Sequence, residues 1–159
     1  MNEFVEAMRQ LAAGVVVVTV RDERDDIGTT VTTFTSLSAD PPMVLLSLAS
    51  TGYLCEVLLR QDRWAVTLLS GDQAVMASRF ATPGRPSARL LLAGTPHHRG
   101  RHTGAFVIDG GVAALEAETA RVIPGGDHTL FLAQVLGVDY VAPALPPLVR
   151  LRGRYRTLT

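Results

Sequence analysis

Short β-branched segments that follow one another at hairpin spacing constrain the fold of this chain more than any other feature. Residues 15–20 form a continuous run of this kind, the charged turn DERDD follows, and residues 27–35 are again rich in β-branched side chains. This pattern predicts a β-hairpin. Residues 43–49 and 64–69 are predicted as two further strands. Because no long helix separates successive strands, a closed or half-closed antiparallel barrel is favoured over a doubly wound parallel sheet.

The second half of the chain continues this pattern, with strands predicted at residues 105–109, 112–122, 128–138 and 148–158. Short helices are predicted after Asn2, after Ser50 and from Asp72. The apolar residues of the first helix recur at helical spacing; they are Phe4, Val5, Met8, Leu11 and Ala12. Gly14 is expected to end that helix, and the segment TPGRPSA to open a long loop. We therefore expect a mainly β protein with a single domain over residues 1–159.

Composition excludes several classes of function. The chain of 159 residues carries fifteen acidic and fifteen basic side chains, and all of the basic ones are arginine. Without a basic surplus, nucleic acid is not expected as a partner, and without lysine, pyridoxal-type covalent chemistry and Walker-type nucleotide hydrolysis are disfavoured. The single Cys55 cannot make an internal disulfide, the start MNEFVEAMRQ lacks a secretory pattern, and no apolar run approaches the roughly twenty residues that cross a bilayer. A cytoplasmic protein without a membrane span is expected.

The stretch TTVTTFTSLS, residues 29–38, carries seven hydroxyl side chains in ten positions. Threonine is a good strand former, so an edge or half-exposed strand is one explanation. The hydroxyls fall on both parities of the strand, however, and simple inside/outside alternation does not account for them. Small hydroxyls beside free backbone amides can also surround an anion such as a phosphate without lysine. Both explanations stay open on the residues alone.

Longer motifs make the chain similar to a known family. The segment GTTVTTFTSLSADPP, residues 28–42, resembles the signature of the flavin reductase-like family with the FMN-binding split barrel. Further segments match that family in order and at compatible spacing; they are AAGVVVVT, WAVTLL, SRFA, GDHTL and PLVRLRGRY. The resemblance covers nearly the whole chain.

The resemblance implies a fold and an activity. The fold is a six-stranded antiparallel Greek-key split β-barrel with short flanking helices, assembled as a homodimer that binds flavin near the subunit interface. The activity is an NAD(P)H:flavin oxidoreductase that transfers hydride from NADH or NADPH to FMN or FAD, with no catalytic side chain and no metal. In such a family the reduced flavin commonly supplies a partner monooxygenase.

The resemblance also implies site residues. The positions expected to bind the flavin cofactor are Thr30, Val31, Thr32, Thr33, Ser36, Ser47, Leu48, Ser50, Thr51 and Phe80. The segment 30–33 is expected at the ring edge and ribityl chain, and the segment 47–51 at the ribityl phosphate, where a helix start suits an anion. The positions expected to bind nicotinamide are Asp127, His128 and Tyr155.

Several of these residues have an alternative structural role. Phe80 can be an ordinary core aromatic, His128 a turn residue of a hairpin, and Tyr155 a packing residue of the last strand. Cys55 is interpreted as a small core residue. These alternatives remain open in the sequence.

Three charged or histidine-rich features have both a functional and a structural interpretation. PHHRGRH could bind a metal through His97, His98 and His102, but no cysteine or carboxylate lies among them. Arg150, Arg152, Arg154 and Arg156 would form one basic strand face, either solvated, in a dimer contact or receiving dinucleotide phosphates. Glu116 and Glu118 share one strand face, and Glu116 lies where the family that the chain resembles often has a buried polar or apolar residue. Two like charges on an exposed face are ordinary and give no evidence of acid/base chemistry.

Two rival functions are kept. One is a non-catalytic flavin- or haem-binding split-barrel module, and the other is an interaction domain that docks an acidic protein on the arginine face. The choices between FMN and FAD, between NADH and NADPH, and between a resident and a diffusing flavin are not determined by the sequence. The arginine- and histidine-rich segment between Phe80 and Gly104 departs from the family pattern, and its role is also open.

Overall fold

The computed structural model describes residues 2–23 and 25–159. The helices are α1 (Glu3–Met8), α2 (Tyr53–Leu58), α3 (Ala74–Ala81) and α4 (Ala88–Leu91), with a 3₁₀ turn at Gly71–Gln73 before α3. The strands are β1 (Ala13–Gly14), β2 (Val16–Arg21), β3 (Asp26–Val31), β4 (Phe34–Ala39), β5 (Pro42–Ala49), β6 (Arg63–Leu68), β7 (His97–Arg99), β8 (Phe106–Ile108), β9 (Ala113–Gly125), β10 (His128–Val141), β11 (Leu148–Leu151) and β12 (Arg154–Thr157). None of the helices in these ranges is both long and apolar enough to span a bilayer.

One large antiparallel sheet forms the body of the protein, in the order β3-β2-β6-β9-β10-β5-β4. Its two edge strands, β3 and β4, are consecutive in the chain and are joined only by Thr32 and Thr33. A sheet whose edges lie two residues apart must curl onto itself, so it forms a barrel with a split between β3 and β4. The mainly β antiparallel barrel predicted from the sequence is confirmed. The sheet has seven strands, and counts as six if β3 and β4 are taken as one bent strand.

The valine run of β2 is buried on both faces. Val16, Val18 and Val20 point into the barrel, where they pack in the cluster that contains Trp64 and Phe131. Val15 and Val17, of opposite parity, belong to a second cluster outside the barrel, which is formed with α3, α4 and β8. A strand covered on both faces needs apolar side chains at every position, which explains why this segment does not alternate.

The hydroxyl-rich segment is not one strand. β3 ends at Val31, residues 32 and 33 form a bend, and β4 begins at Phe34. Side chains alternate between the two faces only within one strand, and the bend ends that alternation. Hydroxyls at odd and even positions of this segment therefore do not lie on opposite faces of a single strand. The predicted single strand over residues 27–35 is therefore wrong in its second half, while the hairpin of β2 and β3 is confirmed.

The predicted basic strand face at the C-terminal end is also wrong. Arg152 and Gly153 have φ of 51° and 74°, so they form a two-residue turn between β11 and β12. Such turns need positive φ at both central positions. In the resulting hairpin Arg150 lies opposite Tyr155, whereas Arg156 lies opposite Val149. The turn therefore places Arg150 on one face and Arg156 on the other.

Three predicted helix or loop features are corrected. Asn2 caps α1 as expected, through a 2.8 Å bond from the Phe4 amide, but the helix ends at Met8. Its apolar side chains are exposed, at 68% for Phe4 and 49% for Met8, because no other described element covers them. α2 is capped by Gly52 in place of Ser50. The expected long loop after α3 contains α4 and the β7–β8 hairpin.

Candidate functional site

The split of the barrel brings the predicted flavin residues together. The Ser47 amide donates to the Thr33 carbonyl at 2.9 Å, and the Thr33 hydroxyl donates to the Ser47 carbonyl at 2.5 Å. α2, which follows directly, contacts both β3 and β5. Thr32, Thr33, Ser47, Ser50 and Thr51 thus line one stretch between β3, β5 and the start of α2, here called the hydroxyl seam.

The hydroxyls of this region differ in whether the protein already uses them. The Thr30 hydroxyl donates to the Ala77 carbonyl at 2.6 Å, and the Ser50 hydroxyl bonds the Thr129 hydroxyl at 2.9 Å. Across residues 2–23 and 25–159, the side-chain oxygens of Thr32, Ser47 and Thr51 have no intramolecular partner. A hydroxyl supplies one donor and two acceptor positions, so these three are available to a ligand.

The hairpin between β9 and β10 places its tip beside the hydroxyl seam. His128 lies opposite Ala49 in the sheet, and the Ser50 amide donates to the Asp127 carbonyl at 3.0 Å. The predicted flavin and nicotinamide segments therefore adjoin at the end of β5.

At this tip Asp127 and His128 form an exposed pair, with Asp127 Oδ1 2.8 Å from His128 Nδ1. The hydrogen bond from His128 holds the pKa of the Asp127 carboxyl below its usual range. The charge of His128 makes a second, smaller contribution in the same direction. Favourable interaction with the ionised carboxylate lowers its pKa in this way. The imidazole is 40% exposed and lies at the surface.

Other predicted site residues lie away from solvent or away from the seam. Phe80 has no exposed surface and packs in the outer cluster beneath β3, which fits the core role. Val31 and Leu48 are buried with their side chains in the barrel, so only their backbone faces the seam region. Ser36 is an exposed residue within β4.

Tyr155 lies in the separate sheet formed by β1, β11 and β12. Its ring packs against the outer core cluster and lies 4.7 Å below the Arg150 guanidinium carbon. In the part of the chain that the structure describes, no hydrogen bond or ring contact joins Tyr155 to His128.

The histidine-rich segment has structural roles. His97 packs edge-on against Phe106 with ring centroids 4.7 Å apart, and His98 Nδ1 lies 3.0 Å from Asp109 Oδ1. Arg99 binds the buried Asp26 carboxylate through both terminal nitrogens. Within residues 2–23 and 25–159, no group of three or more His, Cys, Asp or Glu side chains is arranged to hold a metal ion. Cys55 is buried in the barrel core, as interpreted from the sequence.

Two features were missed at the sequence level. Glu116 is only 1% exposed, and its Oε1 accepts hydrogen bonds from the His102 amide and from both the amide and the hydroxyl of Thr103. It fastens the segment after β7 onto the sheet. Its burial agrees with the buried position that the resemblance implied, whereas these hydrogen bonds were not predicted. Arg85 and Ser87, in the segment TPGRPSA, line a cavity beside β3. The proline and glycine content of that segment indicated only a break in regular structure.

Comparisons with known proteins identify the family of this chain. Residues 8–159 match the model of the flavin reductase like domain. The chain is 38% identical, over 99% of its length and 84% of the relative's, to an NADH-dependent FMN reductase, AsuE2, of Streptomyces nodosus subsp. asukaensis. It is 34% identical, over 98% of its length and 95% of the relative's, to the reductase component of 4-hydroxyphenylacetate 3-monooxygenase of Thermus thermophilus.

A solved structure shares the fold over almost the whole chain. It is the NADH:FAD oxidoreductase SgcE6 of Streptomyces globisporus, in complex with NAD and FAD fragments. The TM-score is 0.90 at 30% sequence identity, and the match covers 99% of this chain and 92% of that one. With a matching family model over most of its length and relatives above 30% identity, this chain belongs to the flavin reductase-like family.

Proposed function

We propose that this protein is an NAD(P)H:flavin oxidoreductase that reduces FMN or FAD. The observation that carries the proposal is that three hydroxyls of the hydroxyl seam have no partner among the described residues and lie directly beside the exposed His128 at the tip of the β9–β10 hairpin. The relatives support it, since they are named as an NADH-dependent FMN reductase, a monooxygenase reductase component and an NADH:FAD oxidoreductase. Flavin and nicotinamide would bind at adjoining segments.

The donors present fit a phosphorylated flavin. The free hydroxyls of Thr32, Ser47 and Thr51 are short neutral donors that let a ligand approach the backbone closely. Within residues 2–23 and 25–159 no side chain caps α2 at Gly52, so its first-turn amides are not used by a capping oxygen. Hydroxyls and amides of the hydroxyl seam would therefore hold the phosphate without a lysine side chain.

A bound flavin supplies the redox chemistry, because a reduced nicotinamide can pass it electrons directly. In the proposed mechanism, Thr32 and Thr33 hold the ring edge and ribityl chain through hydroxyl and backbone groups. Ser47, Ser50 and Thr51 hold the phosphate, and His128, fixed by its bond to Asp127, borders the nicotinamide. The chain's contribution is orientation of the two ligands and exclusion of water. No side chain is required to act as general acid.

The proposal includes the assembly. We place a second copy of the chain over the apolar groove of about 420 Å³ at the split, which is lined by Phe34, Leu115, Val135 and Val138 among others.

The reduced flavin would pass to a partner monooxygenase, as the name of the Thermus thermophilus relative indicates for that protein. A single domain over residues 1–159 and a cytoplasmic location belong to the same proposal.

The deciding experiment mixes the purified full chain with FMN or FAD and with NADH or NADPH, and follows nicotinamide oxidation by absorbance at its characteristic band. Turnover that depends on both ligands is expected. Flavin binding measured by calorimetry without nicotinamide oxidation would favour the non-catalytic module. Neither binding nor turnover with any combination would overturn the proposal.

A further inference from the structure

A polar cavity of about 360 Å³ lies near the opposite end of β10 from the proposed flavin and nicotinamide segments. The stretch of β10 from His128 to Asp139, which lines the cavity, measures roughly 35 Å along an extended strand. Of the described residues, the cavity shares only Val138 with the apolar groove at the split. Its volume is in the usual range for sites that bind small molecules. The proposed function does not account for this cavity.

The walls of the cavity carry opposite charges. The sheet contributes two carboxylates, those of Glu116 on β9 and Asp139 on β10. The facing wall contributes His98 on β7 and, in the turn after β7, Arg101 and His102. Within residues 2–23 and 25–159, the side chains of Arg101 and His102 form no hydrogen bond and no salt bridge. Unused donors therefore face the carboxylates across the cavity.

The backbone of β10 gives Asp139 a special position. The register of β10 against β9 shifts between Val135 and Gly137 and again between Val138 and Tyr140, so Asp139 has no partner residue on β9. Bulges of this kind redirect a side chain. The Oδ2 atom of Asp139 is buried and has no hydrogen-bond partner in the described ranges. A buried oxygen without a donor costs free energy, so the cavity lacks a donor at this point.

The Asp139 carboxylate also lowers the stability of the fold. Burial and, as a smaller contribution, the charge of Glu116 raise the pKa of Asp139, and the three cationic side chains of the facing wall offset only part of this rise. A carboxyl whose pKa is raised on folding is disfavoured in its ionised form, so it destabilises the folded protein at pH values above that pKa. A positively charged ligand group beside Asp139 would remove this cost.

The charges of the two walls favour a ligand that carries both signs. A simple anion would be repelled by the two carboxylates of the sheet, and a simple organic cation by Arg101, which has no acidic partner among the described residues. Arg99 also lines the cavity, but it is paired with Asp26. A bare metal ion lacks its ligands, because the described ranges hold no suitable group of three His, Cys, Asp or Glu side chains. A zwitterion matches both walls.

We propose that this cavity binds a free α-amino acid. The ammonium group of the ligand donates to Asp139 Oδ2, and its carboxylate accepts a forked pair of hydrogen bonds from the Arg101 guanidinium. The volume of the cavity leaves room for a side chain beyond these two charged groups. The site is separate from the hydroxyl seam, so the inference does not depend on the proposed function.

The test titrates the purified full-length chain with each of the common L-amino acids by isothermal titration calorimetry. At least one of them should bind, with one molecule per chain. Two derivatives of that amino acid check the charges of the ligand. The matching primary amine lacks the carboxylate and the N-acetylated form lacks the ammonium charge, so each should bind about tenfold or more weakly.

Two variants locate the bound amino acid. Asp139→Asn and Arg101→Gln should each weaken its binding about tenfold or more. The melting temperature of ligand-free Asp139→Asn should not fall near pH 7, because the amide replaces a buried charge that has no partner. Arg154→Gln is the matched control. It removes an exposed arginine of β12 outside the cavity and should leave the affinity unchanged. Far-UV circular dichroism checks that every variant is folded.

Each other outcome overturns the proposal. If none of the amino acids binds, the site does not exist. If binding is unchanged in both Asp139→Asn and Arg101→Gln, the ligand lies elsewhere. If the primary amine binds as tightly as the amino acid, the cavity takes a cation and the contact assigned to Arg101 is wrong. Because Arg101 is exposed and its side chain has no partner among the described residues, its variant decides the question even if Asp139→Asn proves unstable.

Discussion

Thr30 and Thr32 lie two residues apart, yet their hydroxyls have different roles. Thr30 donates to the Ala77 carbonyl of α3, whereas Thr32, in the bend, has no partner in the described part of the chain. The protein therefore uses the first hydroxyl for its own packing and leaves the second for a ligand. The sequence alone does not show which of these similar hydroxyl side chains stabilise the protein and which remain available to a ligand, because that depends on their partners in the fold.

This division predicts opposite effects for two isosteric substitutions. Thr32→Val should leave the free energy of unfolding within about 0.5 kcal/mol and weaken FMN binding about fivefold, because only a ligand bond is lost. Thr30→Val should lower the free energy of unfolding by about 1 kcal/mol, because the Ala77 carbonyl loses its donor. Urea denaturation and calorimetric titration with FMN measure the two quantities. Equal destabilisation by both variants would contradict the assignment.

Gly28 in β3 marks the tightest packing under the site. A Cβ added there would lie 2.7 Å from Phe80 Cε1, and the Phe80 ring has no exposed surface into which it could move. Gly28→Ala should therefore lower the free energy of unfolding by about 1–3 kcal/mol, the usual range for overpacking a core. Gly94→Ala is the matched control, since a Cβ there meets no atom within 4 Å. The free energy of unfolding is measured by urea denaturation. A decrease of similar size in both variants would show that the Phe80 ring can move aside.

At the scale of elements, one ion pair joins the end of β2 to the end of α2. The Asp22 carboxylate accepts from Arg60 at 2.6 Å and from Gln61 at 3.0 Å. The hydrogen bond from Arg60 makes the largest contribution and the one from Gln61 a smaller one, and the pKa of Asp22 is lowered to about 2. Such a carboxyl has a lower pKa in the folded than in the unfolded state. It stabilises the fold at pH values above its unfolded-state pKa, and this stabilisation is lost as the pH falls to the folded-state pKa.

The expected consequence is a pH-dependent difference between wild type and Asp22→Asn. Near pH 7 the variant should be less stable by about 1 kcal/mol, since the partly exposed pair is weakened by solvent. The difference should shrink as the pH falls from about 4 towards 2. Urea midpoints across this range measure it, with the exposed Asp62→Asn as control. A difference that stays constant with pH would rule out the ion pair as its source.

The sequence predicted the strands well where neighbours along the chain pair with one another. The hairpins of β2 with β3 and of β9 with β10 follow from β-branched runs and glycine turns, and both are present. The turn at Arg152 and Gly153 was missed. Arginine occupies every second position from 150 to 156, and this pattern continues through the turn although the chain reverses direction there. Local patterns cannot show such a change of face.

The candidate site was predictable to the extent that it follows from the family motifs. Those motifs indicated the segments 30–33, 47–51 and 127–128, which the structure places side by side. Which hydroxyls are free depends on distant partners such as Ala77, and the burial of Glu116 depends on the segment after β7 folding over it. Contacts between residues far apart in the chain carry no signal in a single sequence.

For the whole molecule, the exposed apolar surface at the split indicates how the proposed dimer forms. Val138 on β10 is 60% exposed and lines the apolar groove with Phe34 and Leu115. Covering such a groove with a second copy would remove apolar area from water, which is the main favourable contribution to association. A dimer through this face would also bring a second chain close to the bend that carries Thr32.

Sedimentation equilibrium should therefore give twice the mass of one chain for the wild type. Val138→Asp places a charge in the groove and should shift the protein to the monomer, because a carboxylate there would be buried without a partner. Leu90→Asp on α4, a leucine that is 56% exposed but lies outside the groove, should remain dimeric. If the wild type sediments as a monomer, the dimer is absent. If Val138→Asp still sediments as a dimer, the second copy binds a different face, and the exposed apolar side of α1 becomes the next surface to substitute.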